Sequence, residues 1–220
     1  MGIVAKNVGK TLGNPATRIL TDISLEIHDG DFVALTGRSG SGKSTLLYLL
    51  SSLDTVSEGA VEIEGQNFET LDPEALHLFR NQHAGFVFQF HYLINELTAL
   101  ENVLLPARKS GQETSRKPYA ESLLKQFGLD DKMHRLPRQL SGGEQQRLAI
   151  ARALVMKPKY LFADEPTGSL DSINGETVMK IIRESNARDG TTVVMVTHDV
   201  DFAALAQRQI HLSDGRIVRN

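Results

Sequence analysis

A glycine-rich segment constrains this chain more than any other feature. Residues 37–45 read Gly-Arg-Ser-Gly-Ser-Gly-Lys-Ser-Thr, between apolar runs at 32–36 and 45–50. That order indicates a strand, a loop and a helix, which is the setting of a P-loop, where backbone N–H groups and a helix N-terminus face phosphate. The segment predicts binding of a nucleoside triphosphate, with Lys43 on the terminal phosphates and Ser44 on Mg²⁺. The candidate phosphate-binding residues are Gly37, Ser39, Gly40, Ser41, Gly42, Lys43, Ser44 and Thr45.

Whole-chain composition limits the classes of protein that fit this loop. The chain has 220 residues, enough for one domain or one domain with an insert, and a net charge of −3 at pH 7. Because nucleic-acid-binding domains carry a basic excess, we expect no nucleic-acid partner. The lack of cysteine excludes disulfides and cysteine metal sites. The sequence has no apolar run of the roughly 20 residues that span a bilayer, so a role at a membrane requires a second protein.

An acidic pair ends a second apolar run. Leu161-Phe162-Ala163 is followed by Asp164 and Glu165. A buried strand that delivers an acid at its carboxyl end is the Walker B pattern of P-loop proteins. We expect Asp164 to hold Mg²⁺, directly or through water, and Glu165 to accept a proton from the attacking water. Two solvated loop carboxylates are the alternative, which the P-loop upstream makes the weaker interpretation.

A second candidate anion site lies at 140–147, which reads Leu-Ser-Gly-Gly-Glu-Gln-Gln-Arg. Ser141 is a predicted helix N-cap, and Glu144 three residues later completes a capping box. A capped helix alone does not explain Gly142 and Gly143, because glycine lowers helix stability. Glycines at a helix N-terminus expose backbone N–H groups to an anion. Since the chain has one P-loop, the economical interpretation is that this second site contacts the nucleotide bound by another copy.

The hexapeptide Leu-Ser-Gly-Gly-Glu-Gln is identified as the signature motif of ATP-binding-cassette ATPases, and the other motifs follow in the order of that family. The resemblance covers essentially the whole chain. It implies a head-to-tail pair of copies that sandwich two ATP molecules, each between the P-loop of one copy and the signature of the other. Ser141, Gly142 and Gly143 would then contact the γ-phosphate held by the other copy. Glu165 matches the general base of the family.

Three further features gain roles from the resemblance. Gln89 matches the Q-loop glutamine, which reaches Mg²⁺ or the lytic water. His198 matches the switch histidine, which would contact the γ-phosphate. The D-loop corresponds to Ser169-Leu170-Asp171 and would cross the dimer interface. Alone, His198 would be an ordinary surface histidine and Gln89 a weak signal, but their positions after apolar strands in family order favour the functional roles.

The predicted fold class is α/β. The resemblance implies a P-loop NTPase of the ABC ATPase type, with a RecA-like core of mostly parallel strands, an antiparallel β subdomain and a helical insert. The chain is expected to be a single ABC ATPase domain over residues 1–220. Within it, residues 1–88 and 139–220 are expected to form the nucleotide-binding core with the β subdomain, and residues 89–138 the helical subdomain.

The helical insert is predicted to hold two helices. The first begins near Leu97 and ends at Pro106, because proline breaks a helix interior. Residues 108–118 are polar and are expected to be exposed. The second helix runs from Tyr119 to Phe127 and carries its apolar side chains at helical spacing.

The segments 88–93, 97–103 and 164–171 are similar to those of the MacB/LolD/YbbA-type group of bacterial ATPases, which pair with an FtsX-like permease. The resemblance implies a peripheral protein on the cytoplasmic side of the membrane that drives lipoprotein release or export of peptides and drugs. The permease would dock on the apolar segment Phe90–Leu105, which could instead serve only as the core of the insert. An FtsE-like regulatory ATPase that gates a partner without moving substrate is an open alternative. A ribosome or nucleic-acid ATPase is disfavoured by the acidic balance and by the single cassette.

One position departs from the family. The family offers an aromatic residue near its N-terminus to stack on adenine, and here Leu12 stands about where that residue is expected. No Phe, Tyr or Trp occurs before Phe32. Stacking of a base on an aromatic side chain contributes about 1–3 kcal/mol, so an aliphatic contact should discriminate less between bases. We therefore expect this chain to tolerate GTP more than relatives that carry the aromatic residue.

Overall fold

The computed structural model describes residues 2–168 and 170–219. The chain divides into two compact units, which we call the first unit, Met1–Leu76 with Thr192–Asn220, and the second unit, His77–Thr191. Ser169, the first residue of the predicted D-loop, lies outside the described residues. Within the described part of the chain, no helix is both long and apolar enough to cross a membrane.

Strands and helices alternate along most of the chain, which confirms the predicted α/β class. The strands are β1 (Gly2–Leu12), β2 (Thr17–His28), β3 (Phe32–Gly37), β4 (Glu58–Ile63), β5 (Gln66–Asn67), β6 (Ala84–Val87), β7 (Tyr160–Asp164), β8 (Thr192–Val196), β9 (Arg208–Ser213) and β10 (Arg216–Arg219). The α-helices are α1 (Lys43–Leu50), α2 (Pro73–His83), α3 (Ala99–Lys109), α4 (Glu113–Gln126), α5 (Gly142–Leu154), α6 (Ser172–Asp189) and α7 (Val200–Ala203).

The first unit contains two arrangements of strands. An antiparallel sheet has the order β2-β1-β4-β5, and β2 alternates buried and exposed residues as a half-buried strand does. The other strands follow the order β10-β9-β3-β8, in which β3 pairs parallel with both β8 and β9. The β3 and β8 strands are apolar and almost wholly buried, as parallel strands are when both faces are covered. Strands β9 and β10 pair antiparallel and form a hairpin.

The second unit pairs β6 and β7 in parallel and surrounds them with helices. The α3 helix packs against α4 and α5, and α5 packs against β6. Buried side chains of α5 include Leu148, Ile150 and Leu154, so this helix lies in the core along most of its length. Both α3 and α4 fall entirely in the segment predicted as the helical insert, whose boundaries at 89 and 138 stay a prediction.

Two predictions about the insert are wrong for the same reason. The first helix does not end at Pro106, which lies inside α3, and the second begins at Glu113 and contains Pro118. The stretch at 108–118 has no buried residue, in line with its expected exposure, but much of it is helical. A proline in a helix interior costs about 3 kcal/mol, but Val103 and Ala107 on either side of Pro106 are fully buried. Packing of such residues outweighs the local penalty, which the sequence pattern does not show.

Candidate functional site

The glycine-rich loop joins β3 to α1 in the first unit, as predicted. Gly37, Gly40 and Gly42 have φ values of +138°, +78° and +96°, which side chains disfavour. A Cβ at Gly37 would lie 2.2 Å from the carbonyl oxygen of Leu212. A Cβ at Gly42 would lie 2.7 Å from Cδ2 of Leu20. The loop is therefore pressed against β9 and β2, and its path depends on glycine.

The loop leaves polar groups available for an anion. Gly42 is the N-cap of α1, and no described side chain caps the first turn of that helix. Among the described residues, Oγ of Ser41 is buried without a hydrogen-bond partner. Lys43 folds back, and its Nζ donates to the carbonyl oxygen of Arg38 at 2.8 Å. Uncapped N–H groups, a hydroxyl and an ammonium are donors that suit phosphate oxygens, so these residues fit a nucleotide phosphate.

The other predicted residues of the first unit are His198 and Leu12. Parallel strands β3 and β8 pair Leu35 with Val196, so the loop after β3 and His198 after β8 leave the same edge of the sheet. Ligands in α/β folds bind at that carboxyl edge. His198 is exposed there. Leu12 is the last residue of β1, pairs with Thr17 and is 44% exposed, so its side chain is available for contact with a ligand.

The acidic pair lies in the second unit, where β7 delivers a buried Asp164 at its end. Glu165 follows with a φ of +51°, a left-handed conformation that is uncommon for a residue with a side chain. Parallel strands β6 and β7 pair Val87 with Ala163. The exposed Gln89, two residues beyond Val87, therefore leaves the same strand edge as Asp164 and Glu165.

The signature segment forms the predicted capping box at the start of α5. Oγ of Ser141 accepts from the backbone N–H of Glu144, and the Glu144 carboxylate accepts from the backbone N–H of Ser141 at 2.8 Å. The Lys132 ammonium also donates to that carboxylate and, with the Ser141 N–H, holds the pKa of Glu144 below its usual value. A Cβ at Gly142 would meet no described atom within 4 Å, so this helix end has open space in front of it.

Asp171, predicted in the D-loop, caps the next helix. Its carboxylate accepts from the backbone N–H of Asn174 at 2.9 Å and from the Asn174 side-chain amide at 2.6 Å. These two bonds, the backbone one foremost, lower the pKa of Asp171. A Cβ at Gly143 would lie 3.3 Å from Cδ2 of Leu170, so the signature glycines and the D-loop lie side by side in the second unit.

Sequence reasoning assigned no role to Gln146 and Arg147, which directly follow the signature hexapeptide. Both side chains are buried, at 1% and 9% exposure. Gln146 Nε2 donates to the carbonyl oxygen of Pro166 at 3.0 Å. The signal in the sequence is partial: the two long polar residues precede residues 148–154, which are apolar apart from Arg152, but the pattern does not identify the partners of the two side chains.

The apolar segment Phe90–Leu105 begins on the surface. Phe90 is 71% exposed and Tyr92 is 65% exposed, and their rings contact each other edge to face. Arg152 holds the backbone here, because its guanidinium donates to the carbonyl oxygens of His91 and Tyr92 at 2.7 Å each. Burial lowers the pKa of Arg152.

A cavity of about 670 Å³ adjoins this segment within the second unit. Its apolar lining includes Phe86, Phe88 and Tyr92, and its basic lining includes Arg80 and Lys109. A concave apolar surface with exposed aromatic side chains beside it is typical of a binding groove for a protein segment. We call this cavity the α2–α3 groove, after the two helices that contribute to its walls.

Comparisons with known proteins agree over almost the full length of the chain. The sequence profile described as ABC transporter matches residues 20–168. A lipoprotein-releasing system ATP-binding protein LolD from Leptospira interrogans is 54% identical over 99% of this chain and 91% of its own length. The Aquifex aeolicus protein of that name is 51% identical over 97% and 95% of the two lengths. A macrolide export ATP-binding/permease protein MacB from Salmonella choleraesuis is 48% identical over 94% of this chain, which matches 32% of MacB.

Solved structures agree with these relatives. A dimeric bacterial ABC transporter cassette has a TM-score of 0.91 and 43% identity, and the match covers 99% of this chain and 97% of the other. A dimeric post-hydrolysis state of an ATP-binding cassette, bound to ADP and phosphate, has a TM-score of 0.90 and 41% identity with the same coverage.

Proposed function

The chain belongs to the ABC transporter family of ATP-binding cassettes, and we propose that it hydrolyses ATP to drive a membrane permease. The observation that carries this proposal is the loop between β3 and α1. Its glycines adopt conformations that side chains disfavour, and the N-cap residue of α1 is itself a glycine, which has no side chain to cap the first turn. That combination leaves backbone donors for phosphate, which a structural turn would not require.

Each predicted residue receives one task in this proposal. The loop N–H groups and Lys43 bind the phosphates, and the oxygens of Ser44 and Asp164 are the expected magnesium ligands. Bound Mg²⁺ would neutralise charge that develops on the phosphates. Glu165 accepts a proton from the attacking water, while Gln89 and His198 orient the water and the γ-phosphate.

The site is completed by a second copy. Ser141, Gly142 and Gly143 supply an open helix N-terminus, and the partner copy's γ-phosphate is the anion that we assign to it. Asp171 lies beside these residues at the start of α6 and would cross to the partner with them. The dimeric state of both similar cassettes supports this arrangement. A monomer would then bind ATP without hydrolysing it.

The membrane partner docks on the second unit in this proposal. Phe90 and Tyr92 expose apolar surface, and covering that surface with a partner would be favourable. The α2–α3 groove is a concave surface next to them. The name of MacB joins an ATP-binding part and a permease in one chain, which supports an FtsX/MacB-like permease as the partner. The names of the LolD relatives support lipoprotein release as its work. The chain would then sit peripherally on the cytoplasmic side of the membrane.

Glu165→Gln tests the assignment of the hydrolytic reaction. The amide keeps the shape of the side chain but cannot accept a proton, so ATP turnover should fall by about 100-fold or more. ATP binding should persist, and the trapped ATP should hold two copies together. Steady-state turnover and light scattering with and without ATP would measure both. Turnover at the parental rate would exclude Glu165 as the base.

Phe90→Ala with Tyr92→Ala tests the docking surface. Both side chains are exposed, so the free subunit should keep its thermal stability and its ATP-dependent dimer. Binding to inverted membrane vesicles from the source cells should be lost, because the exposed aromatic anchors are gone. Val218→Ala, which removes an exposed apolar side chain from β10, is the matched control and should bind as the parent does. Equal binding by all three proteins would place the docking surface elsewhere.

A further inference from the structure

Two buried polar side chains follow the signature on α5, and the proposed hydrolysis leaves both without a task. A buried amide or guanidinium is costly unless it is hydrogen-bonded. Gln146 and Arg147 could have been apolar, as Leu148 to Leu154 mostly are. Their bonding partners therefore indicate what the two side chains are for.

Gln146 bonds to the loop that carries the proposed base. Its Nε2 donates to the carbonyl oxygen of Pro166, the residue directly after Glu165. The same loop closes on itself, because the N–H of Gly168 donates to the carbonyl oxygen of Glu165 at 3.1 Å. Glu165 is held in a left-handed conformation that costs free energy unless its surroundings enforce it. The bond from Gln146 is one of those enforcing contacts.

Arg147 reaches the far end of that loop indirectly, through Asn174 in the first turn of α6. Its Nε donates to the carbonyl oxygen of Phe127 at 3.0 Å, and its Nη1 donates to Oδ1 of Asn174. Asn174 in turn holds the Asp171 carboxylate through its backbone and side-chain N–H groups. Consecutive residues of α5 thus reach the two ends of the segment that runs from the base to the D-loop.

We propose that Gln146 and Arg147 are positioning residues that couple the phosphate-facing end of α5 to residues 165–168 and 170–171 of the same copy. The inference rests on the proposed function, in which α5 contacts the partner's γ-phosphate and Glu165 is the base. A phosphate seated on Gly142 and Gly143 fixes α5, and α5 fixes the peptide beside Glu165. Each copy therefore positions its own Glu165 for hydrolysis only when its signature glycines also contact the ATP bound by the partner copy.

Gln146→Met tests the link to the base, since methionine has similar length and donates no hydrogen bond. The turnover number should fall about 10- to 100-fold, because small displacements of a catalytic group have effects of that size. The KM for ATP, and the ATP-dependent dimer in a Glu165→Gln background, should stay within about twofold of the parent, because the loop that binds phosphate is untouched. A merely structural role would lower thermal stability and dimer formation together with turnover.

Arg147→Lys gives an independent arm that does not rely on the methionine variant. Lysine keeps the charge but cannot bond both Phe127 and Asn174 through one planar group. Turnover should fall severalfold at constant KM. Asn186→Leu is the matched control. Asn186 lies in the last turn of α6, and its side-chain amide also donates to a backbone carbonyl, that of Thr191, at 2.8 Å. Its turnover per folded molecule should equal that of the parent.

The outcomes separate the two proposals. Parental turnover in folded Gln146→Met and Arg147→Lys, with turnover abolished in Glu165→Gln, overturns the positioning role alone. A loss in Gln146→Met no larger than in Asn186→Leu does the same, as it would reflect the loss of any hydrogen bond from a side-chain amide to a backbone carbonyl. Parental turnover in Glu165→Gln overturns the proposed base itself.

Discussion

The N-termini of α1 and α5 are both built around glycine, but different forces hold them. At α1 the glycines are required by the backbone: φ is +96° at Gly42, and a Cβ there would press on Leu20. At α5 the side chains of Ser141 and Glu144 complete a capping box, and a Cβ at Gly142 would meet open space. The N-terminus of α1 is shaped by close packing against another part of the fold. The N-terminus of α5 is capped by side chains of its own segment.

This difference indicates why each end uses glycine. Around α1, glycine lets the chain wrap closely over its own ligand. At α5, glycine is not needed for the helix and lowers its stability, so the bare surface in front of Gly142 must be useful in another state. The N-terminus of α5 is capped by its own side chains and has open space in front of Gly142. Such a helix end suits a ligand that is already bound to another molecule when it arrives. The comparison thus supports a site shared by two copies.

The largest expected effect comes from adding one methyl group at the N-terminus of α1, with the same change at the N-terminus of α5 as its control. Gly42→Ala should lower the free energy of unfolding by about 2 kcal/mol or more and abolish ATP binding, because it combines a positive φ with a steric clash. Gly142→Ala, its matched control, should keep or slightly raise stability, by up to about 1 kcal/mol, since alanine favours the helix. Denaturant titration and nucleotide titration would measure both. Equal losses in the two variants would break the comparison.

A smaller effect is expected at Leu12, which is proposed to contact the adenine ring of the nucleotide. Leu12→Tyr should tighten ATP about fivefold or more and increase the preference for ATP over GTP, because a ring can stack on adenine. Leu53→Tyr adds the same ring at another partly exposed leucine and should change neither quantity. Competition between labelled ATP and GTP would measure the preference. A strong ATP preference in the parent protein would contradict the expected tolerance of GTP.

The smallest expected effect is on the pH dependence of stability, which should differ between the N-termini of α5 and α1. The pKa of Glu144 is lowered in the folded protein, chiefly by the bond from Lys132. Its contribution to stability is therefore full above its unfolded pKa of about 4.3 and disappears as the pH falls through the lower folded value. Lys132→Met should cost up to about 1 kcal/mol at pH 7 and less near pH 3. Hydrogen exchange should show the loss at the start of α5 and none at α1, whose first turn has no acidic residue.

Local rules predicted the features that neighbouring residues determine. The capping box at Ser141 and the strand that ends at Asp164 depend on spacing along the chain, and the structure has both. Helix α3 runs through Pro106, whose helix neighbours Val103 and Ala107 are buried, and α4 runs through Pro118. The role of Gln146 was equally hidden, since its partner is 20 residues away in sequence. Local pattern carries no information about such contacts.

The most direct test of the shared site is Gly142→Asp in the Glu165→Gln background. An acidic residue at a helix N-terminus favours the helix and has room there, so the fold should be unaffected. Its carboxylate should repel the partner's γ-phosphate. We expect the monomer to bind ATP with an affinity within about threefold of the Glu165→Gln parent, while ATP no longer produces a dimer. If ATP binding by the monomer weakened in parallel with dimer formation, the signature would serve the nucleotide of its own copy, and the account would be contradicted.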